Sequence, residues 1–229
     1  MGQLYLVRHG QASFGADDYD VLSERGAAQS RRLGEWLAER GVVADAVLHG
    51  GLSRQRDTAR HLAGSAGWDA PLEADPDWDE LDFLTVVGTL PGVSTEGLDN
   101  RGFHRVFQEA TARWTSGSHD GDYEETWGQF RTRVEGAFAR ACERAAGSGA
   151  TVVAVSSGGV VAALVARLLL AGAGAGGEVA PSAMAAAWDR ANTVTVNTSY
   201  TRVAVGSGGP RLLTFNEHPH LDGDLLTYR

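Results

Sequence analysis

The chain opens on a short apolar run, Leu4-Tyr5-Leu6-Val7, that stops abruptly at Arg8-His9-Gly10. A compact apolar stretch bounded by polar residues predicts a buried β-strand. Gln11 to Val21 reads as a polar loop carrying three aspartates. Ser23 is placed to cap a helix running to about Arg40, with Leu33, Trp36 and Leu37 on one face and Gly41 as its stop. Ala44 to Leu48 predicts a second strand, and about Ser53 to Ala63 a short Arg-rich helix. Pro71 to Pro76 is a loop or short strand leading into an acidic turn.

Between Val86 and Tyr123 the pattern is mixed, with a helix around Phe103 to Trp114, and the stretch reads as an insertion over the sheet edge (about 86–123) within one domain spanning 1–229. Trp127, Phe130, Val134, Phe138 and Ala141 then recur at helical spacing, the mark of a long amphipathic helix. Thr151 to Val155 is an apolar β-branched strand, followed by Ser156-Ser157-Gly158-Gly159 and an apolar helix to Leu170. Ala171 to Gly177 reads as a mobile Gly/Ala linker, Thr193 to Val205 as a strand or hairpin, and Leu212 to Phe215 as a last short strand. Strands alternating with helices indicate an α/β fold with a mainly parallel sheet.

Composition narrows the chemistry. The net charge of -9 argues against nucleic-acid binding, which calls for a basic face. All 20 basic residues are Arg, so a P-loop or Schiff-base site, each needing a Lys amine, is excluded. The single Cys142 leaves no intrachain disulfide and no cysteine metal site. Gly158 to Leu170 contains Arg167 and is too short to span a bilayer, and no leader-like start is visible; a soluble cytoplasmic protein is expected. His218-Pro219-His220 could hold a metal only with further ligands, and nothing nearby matches a known spacing.

Three strand ends carry the candidate chemistry: Arg8-His9-Gly10, Gly50-Gly51-Leu52-Ser53-Arg54, and Ser156-Ser157-Gly158-Gly159. Open α/β sheets place ligands at such ends. Two of them open helices, whose unpaired N–H groups favour anions. Two supply Arg, whose planar fork matches phosphate. Together they describe an oxyanion pocket around His9.

These segments resemble the histidine phosphatase superfamily, which includes cofactor-dependent phosphoglycerate mutases. Leu6-Val7-Arg8-His9-Gly10-Gln11-Ala12 looks like its Arg-His-Gly signature, and Leu22-Ser23-Glu24-Arg25-Gly26 like its next helix start. Leu52-Ser53-Arg54-Gln55-Arg56-Asp57-Thr58-Ala59 resembles its Leu-x-Arg-x-x-x-Thr-Ala segment, and Trp78-Asp79-Glu80-Leu81-Asp82-Phe83 its Glu-x-Asp-Phe segment. Val153 to Gly159 looks like its last core strand and turn. The resemblance implies a three-layer α/β/α, phosphoglycerate mutase-like fold. It also implies a phosphomonoester hydrolase working without a metal or cofactor on a small phosphorylated metabolite. His9 would be the nucleophile, Arg8 and Arg54 the phosphate clamps, and Glu80 the proton donor. Gln11, Ser157 and Gly158 are the expected substrate contacts.

Ser157 departs from the family pattern, which has a second His at that place. A serine hydroxyl donates one neutral hydrogen bond, about half the strength of a charge-assisted one. Several readings stay open at this point: a phosphatase of reduced activity, an impaired phosphate-binding or regulatory protein, a mutase-type phosphotransferase, or a serine hydrolase through Ser157. One of the histidines 218 and 220 could also supply the missing imidazole, and Ser157→His is the direct way to restore it.

Overall fold

The computed structural model describes residues 1–13, 20–93, 97, 99–171 and 179–228. The strands are β1 (Gly2–Arg8), β2 (Ala46–His49), β3 (Leu72–Ala74), β4 (Thr151–Ser156), β5 (Tyr200–Gly206) and β6 (Gly209–Glu217). The helices are α1 (Glu24–Glu39), α2 (Ser53–Ala66), α3 (Phe83–Gly88), α4 (Asn100–Thr115), α5 (Trp127–Ser148), α6 (Gly158–Leu170) and α7 (Pro181–Val194). The strands form one sheet in the order β3-β2-β4-β1-β5-β6. Its first four strands run parallel, and β5 and β6 add an antiparallel edge.

Alternation along the strands builds two cores, because successive side chains point to opposite faces. Leu4 and Leu6 of β1, with Val152 and Ala154 of β4, meet Trp114 of α4, Phe130, Val134 and Phe138 of α5, and Trp188 of α7. Tyr5 and Val7, with Val153 and Val155, meet Leu33 and Leu37 of α1 and Ala59 and Leu62 of α2. The result is the expected three-layer α/β/α arrangement. The α5 stripe is buried as its spacing predicts. Its start is fixed by a capping box in which Thr126 and Gln129 satisfy each other's backbone N–H. The helix within the 86–123 stretch sends Val106, Ala110 and Trp114 into the same core, where Trp114 packs 5.2 Å from Trp127 and 6.1 Å from Trp188.

Two expectations at the carboxyl-terminal end need correction. Helix α7 was not anticipated: its buried side is only Met184, Trp188 and Ala191 amid exposed alanines, too thin a stripe to stand out. The strand expected from Thr193 begins only at Tyr200. Thr195, Asn197, Thr198 and Ser199 are buried polar residues of a turn in which Thr198 has φ 56°, so their alternation served side-chain hydrogen bonding and not a pleat. Residues 172–177 of the expected linker and 14–19 of the loop after His9 lie outside the described residues.

The histidine pair near the end belongs to this antiparallel edge. His220 is buried with its ring 6.2 Å from Tyr200 and its Nε2 3.2 Å from the Thr198 hydroxyl. His218 Nδ1 lies 2.6 Å from the Asn216 carbonyl, and neither imidazole bonds to His9 among the described residues. Both rings are thus engaged locally at this edge. Burial, with His218 and Arg32 nearby, pushes the His220 pKa down to about 3. In the unfolded chain it titrates near 6.5, so between these values the unfolded state binds the extra proton. Stability present at neutral pH is thus lost as pH falls below about 6.5, by up to ~1.4 kcal/mol per pH unit. Thermal unfolding at pH 7 and pH 5 is expected to show a smaller acid penalty for His220→Phe than for wild type.

Candidate active site

The carboxyl ends of β1, β2 and β4 converge on His9. Its N–H donates to the Ser156 carbonyl at 2.8 Å, and its own carbonyl accepts from Asn197 Nδ2 at 3.1 Å. Gly10 N–H donates to the Thr58 hydroxyl at 3.0 Å, and that hydroxyl donates to the Arg54 carbonyl at 2.7 Å. A Cβ on Gly10 would come within 2.4 Å of the Gly26 carbonyl, so only glycine lets the His9 loop lie against the first turn of α1. Gln11 is held by its backbone: its N–H donates to Gln29 at 2.8 Å, and its carbonyl accepts from the Ser23 hydroxyl at 2.8 Å. Its side chain is half-buried. An isolated bridge between Ala12 and Leu22 pins the two ends of the following loop together.

The His9 ring is buried and has a defined tautomer. Nδ1 lies 2.7 Å from the Gly10 carbonyl, which can only accept, so Nδ1 carries the hydrogen. Nε2 then presents a lone pair, and Arg54 Nε donates to it at 3.3 Å. Burial first, then the Arg54 and Arg8 cations, holds the imidazole well below its usual pKa. The ring is neutral and can attack an electrophile through Nε2.

Arg54 lies in the first turn of α2 and is buried. Its Nη1 pairs with Asp20 Oδ1 at 2.8 Å, while Asp20 Oδ2 accepts the Ser53 N–H at 2.7 Å. Leu52 cannot cap α2, so a carboxylate from the loop after His9 does so and fixes Arg54 at once. Arg8 Nη1 donates to the Thr195 carbonyl and, at 3.0 Å, to the Tyr228 carbonyl.

Three neighbouring acids are sorted by the fold. Asp79 Oδ1 accepts the Gly51 N–H at 2.6 Å, and Asp82 caps α3. Glu80 alone reaches the start of α6, where Oε2 accepts the Gly159 N–H at 3.0 Å. Burial pushes the Glu80 carboxyl up, with the Gly159 and Leu81 N–H groups and the Arg54 and Arg8 charges acting against it. Gly158 opens α6, and a Cβ there would lie 3.0 Å from Asn192 Oδ1 and 3.5 Å from Arg8 Nε. Ser157 is fully buried, and its Oγ accepts from Gln55 Nε2 at 2.9 Å.

The fold thus brings Arg8, His9, Arg54 and Glu80 together, with Ser157 and Gly158 beside them and Gln11 attached through its main chain. Asp20, Gln55 and Asn192 were not singled out from sequence. Asp20 had a signal, being one of three aspartates in a loop leaving a candidate anion site; Gln55 and Asn192 had none. Such a pocket can hold a tetrahedral oxyanion, offer it a neutral nitrogen nucleophile and supply a carboxyl proton.

A family model described as histidine phosphatase superfamily (branch 1) matches residues 4–218. Over 69 residues the chain is 39% identical to a 2,3-bisphosphoglycerate-dependent phosphoglycerate mutase from Leifsonia xyli subsp. xyli, a stretch that spans 28% of each protein. The fold is similar to that of a phosphoserine phosphatase variant from Entamoeba histolytica solved with phosphoserine, at 19% identity and TM-score 0.66, covering 96% of this chain and 100% of that one. It is also similar to a mycobacterial glucosyl-3-phosphoglycerate phosphatase solved with inorganic phosphate, at 21% identity and TM-score 0.65, covering 97% and 100%. An alpha-ribazole phosphatase from Shigella flexneri matches at 22% identity and TM-score 0.62, covering 94% and 96%. Among the described residues, no helix is long and apolar enough to cross a membrane.

Proposed function

The chain belongs to the histidine phosphatase superfamily, and from that premise we propose that it is a phosphomonoester hydrolase working through phospho-His9 on a small phosphorylated metabolite of the cytoplasm. The observation that carries the reading is the unprotonated His9 Nε2, held 3.3 Å from Arg54 Nε with Nδ1 tied to Gly10. In the first step Nε2 attacks phosphorus and the bond from phosphorus to the alcohol oxygen breaks. Glu80 delivers its proton to that oxygen. In the second step water attacks phosphorus, gives a proton to the Glu80 carboxylate, and the P–N bond returns its electron pair to Nε2. Covalent catalysis here divides one hard displacement into two. Arg8 and Arg54 balance charge on the equatorial oxygens, the role for which fixed cations are most effective in phosphoryl transfer. This chemistry needs no metal ion, because the guanidinium groups and helix amides provide the positive field.

The related phosphatases named above act on phosphoserine, glucosyl-3-phosphoglycerate and alpha-ribazole phosphate, all phosphomonoesters, which supports the class of substrate. The mutase match covers too little of either protein to carry mutase activity across. The second reading, a phosphate-binding protein with little turnover, is favoured by Ser157, a hydroxyl at the position where the resemblance implies a second imidazole.

The pH profile tests the mechanism. His9, with its lowered pKa, stays neutral well into the acid range. Glu80, with its raised pKa, stays protonated to higher pH than an ordinary carboxyl. The rate of phosphate release is expected to be greatest in mildly acidic buffer and to fall as pH rises and Glu80 ionises. Glu80→Gln is expected to lower the maximum by about 10²–10⁴-fold, the usual worth of a general acid, and to remove the alkaline decline. Phosphate release from no monoester at any pH would turn the assignment to the binding protein.

A further inference from the structure

Gln55 follows Arg54 in α2 and is completely buried. Its Nε2 donates to Ser157 Oγ at 2.9 Å and to the Trp78 carbonyl at 3.3 Å. Those two bonds use both amide hydrogens. Gln55 reaches this position only because residue 50 is glycine: a Cβ there would stand 2.0 Å from Gln55 Oε1.

Ser157 occupies the cap position of α6 with extended backbone, φ -117° and ψ 169°. A serine so placed ordinarily accepts an N–H of the first helical turn. Ser157 makes no such bond. Its oxygen instead accepts from Gln55, and its hydroxyl hydrogen is given to no described residue. An oxygen that is already an acceptor for Gln55 turns its own hydrogen away from that amide. The last register pair between β1 and β4 is Arg8 with Ser156, and His9 N–H bonds the Ser156 carbonyl. The oriented hydroxyl therefore belongs to the residue that flanks the nucleophile across the ladder.

Resting on the hydrolase reading above, we propose that Gln55 is a positioning residue that makes Ser157 a dedicated hydrogen-bond donor to the phosphoryl group on His9. The pair Gln55–Ser157 then serves where the family pattern has a second imidazole. Gln55 touches neither substrate nor nucleophile and acts only through the hydroxyl.

A double-mutant cycle of Gln55→Met and Ser157→Ala tests this on hydrolysis of a phosphomonoester. Methionine fills the same buried volume, and the Trp78 carbonyl keeps the Ser156 hydroxyl as a donor at 2.5 Å. Gln55→Met is expected to lower kcat about tenfold with KM within about twofold, consistent with loss of one neutral donor alignment. Ser157→Ala is expected to lose at least as much. The double variant should be no slower than Ser157→Ala alone. Equal losses from Gln55→Met in both backgrounds, or no loss in either, would overturn the proposal. Gln55→Glu is the second variant, for use if the methionine protein does not fold: its carboxylate accepts the Ser157 hydrogen, so retention of full kcat overturns the proposal equally. The same cycle is read in dissociation constants for orthovanadate. If the wild type hydrolyses nothing, the hydrolase reading fails on its own, and uncoupled vanadate constants would then count against Gln55 separately.

Discussion

Replacing His9 with alanine is expected to remove phosphate release by a factor on the order of 10⁵–10⁶, the scale of losing the nucleophile from a covalent enzyme. The geometry leaves no substitute. Among the described residues Arg54 Nε donates to His9 Nε2, and the two histidines near the end of the chain are engaged at the antiparallel edge. Acid-labile, base-stable phosphate on wild-type protein after brief incubation with a phosphomonoester should be absent from His9→Ala. The fold should not suffer, because the side chain's one backbone bond is to its neighbour Gly10, while the main chain of residue 9 keeps its bonds to Ser156 and Asn197. Binding of inorganic phosphate should change less than tenfold, since Arg8, Arg54 and the helix amides remain. A variant retaining more than a tenth of wild-type turnover would remove His9 from the mechanism.

Arg54→Met should produce the second largest effect, about 10³–10⁴-fold in kcat/KM, more than one donor's ordinary 10²–10³. The excess comes from Asp20. Its carboxylate is fixed on α2 by the Ser53 N–H and is neutralised by Arg54 Nη1. Without the guanidinium, that charge repels an incoming phosphate dianion more strongly. Asp20→Asn in the Arg54→Met background should therefore recover about tenfold, mainly in KM. Arg54→Lys should recover little, since an ammonium cannot make the forked contacts of a guanidinium. Removal of Arg54 also lifts one influence that depresses the His9 pKa, so the acid limb of the rate should move to higher pH. Independent effects at 54 and 20, adding in free energy with no recovery, would show that the two side chains do not act as a unit.

Periodicity made much of this fold legible. The two-residue alternation in β1 and β4 separates the two cores, and the α5 stripe lies buried where its spacing put it. Helix α7 escaped because alanine carries little hydrophobic signal and only three of its residues are buried. Thr193 to Val196 misled because Thr and Val alternate there as they would in a strand. Those hydroxyls instead bond to nearby backbone carbonyls, as Thr195 does to the Ala191 carbonyl of α7 at 2.7 Å. In the candidate site, residue type and strand-end position pointed to Arg8, His9 and Arg54, whereas Glu80 was singled out only through the resemblance of Trp78 to Phe83 to the family's Glu-x-Asp-Phe segment. Those signals were not enough to find Asp20 or Gln55. Their partners lie 34 and 102 residues away, and no local pattern records a contact across that distance.

The contact between Gln55 and Ser157 also bears on how such a site can change over generations. With an amide nitrogen 2.9 Å from Ser157 Oγ, an imidazole built along that direction at position 157 would have to displace Gln55. A shorter residue at 55, introduced alone, leaves the serine hydroxyl without its guide. On the proposed pairing, either single step is expected to lower turnover, so the two positions would form a ratchet in which a lineage that holds Gln and Ser regains His through a slower intermediate. Engineering that begins with Ser157→His alone meets the same barrier, and a library varying 55 and 157 together is the shorter way over it.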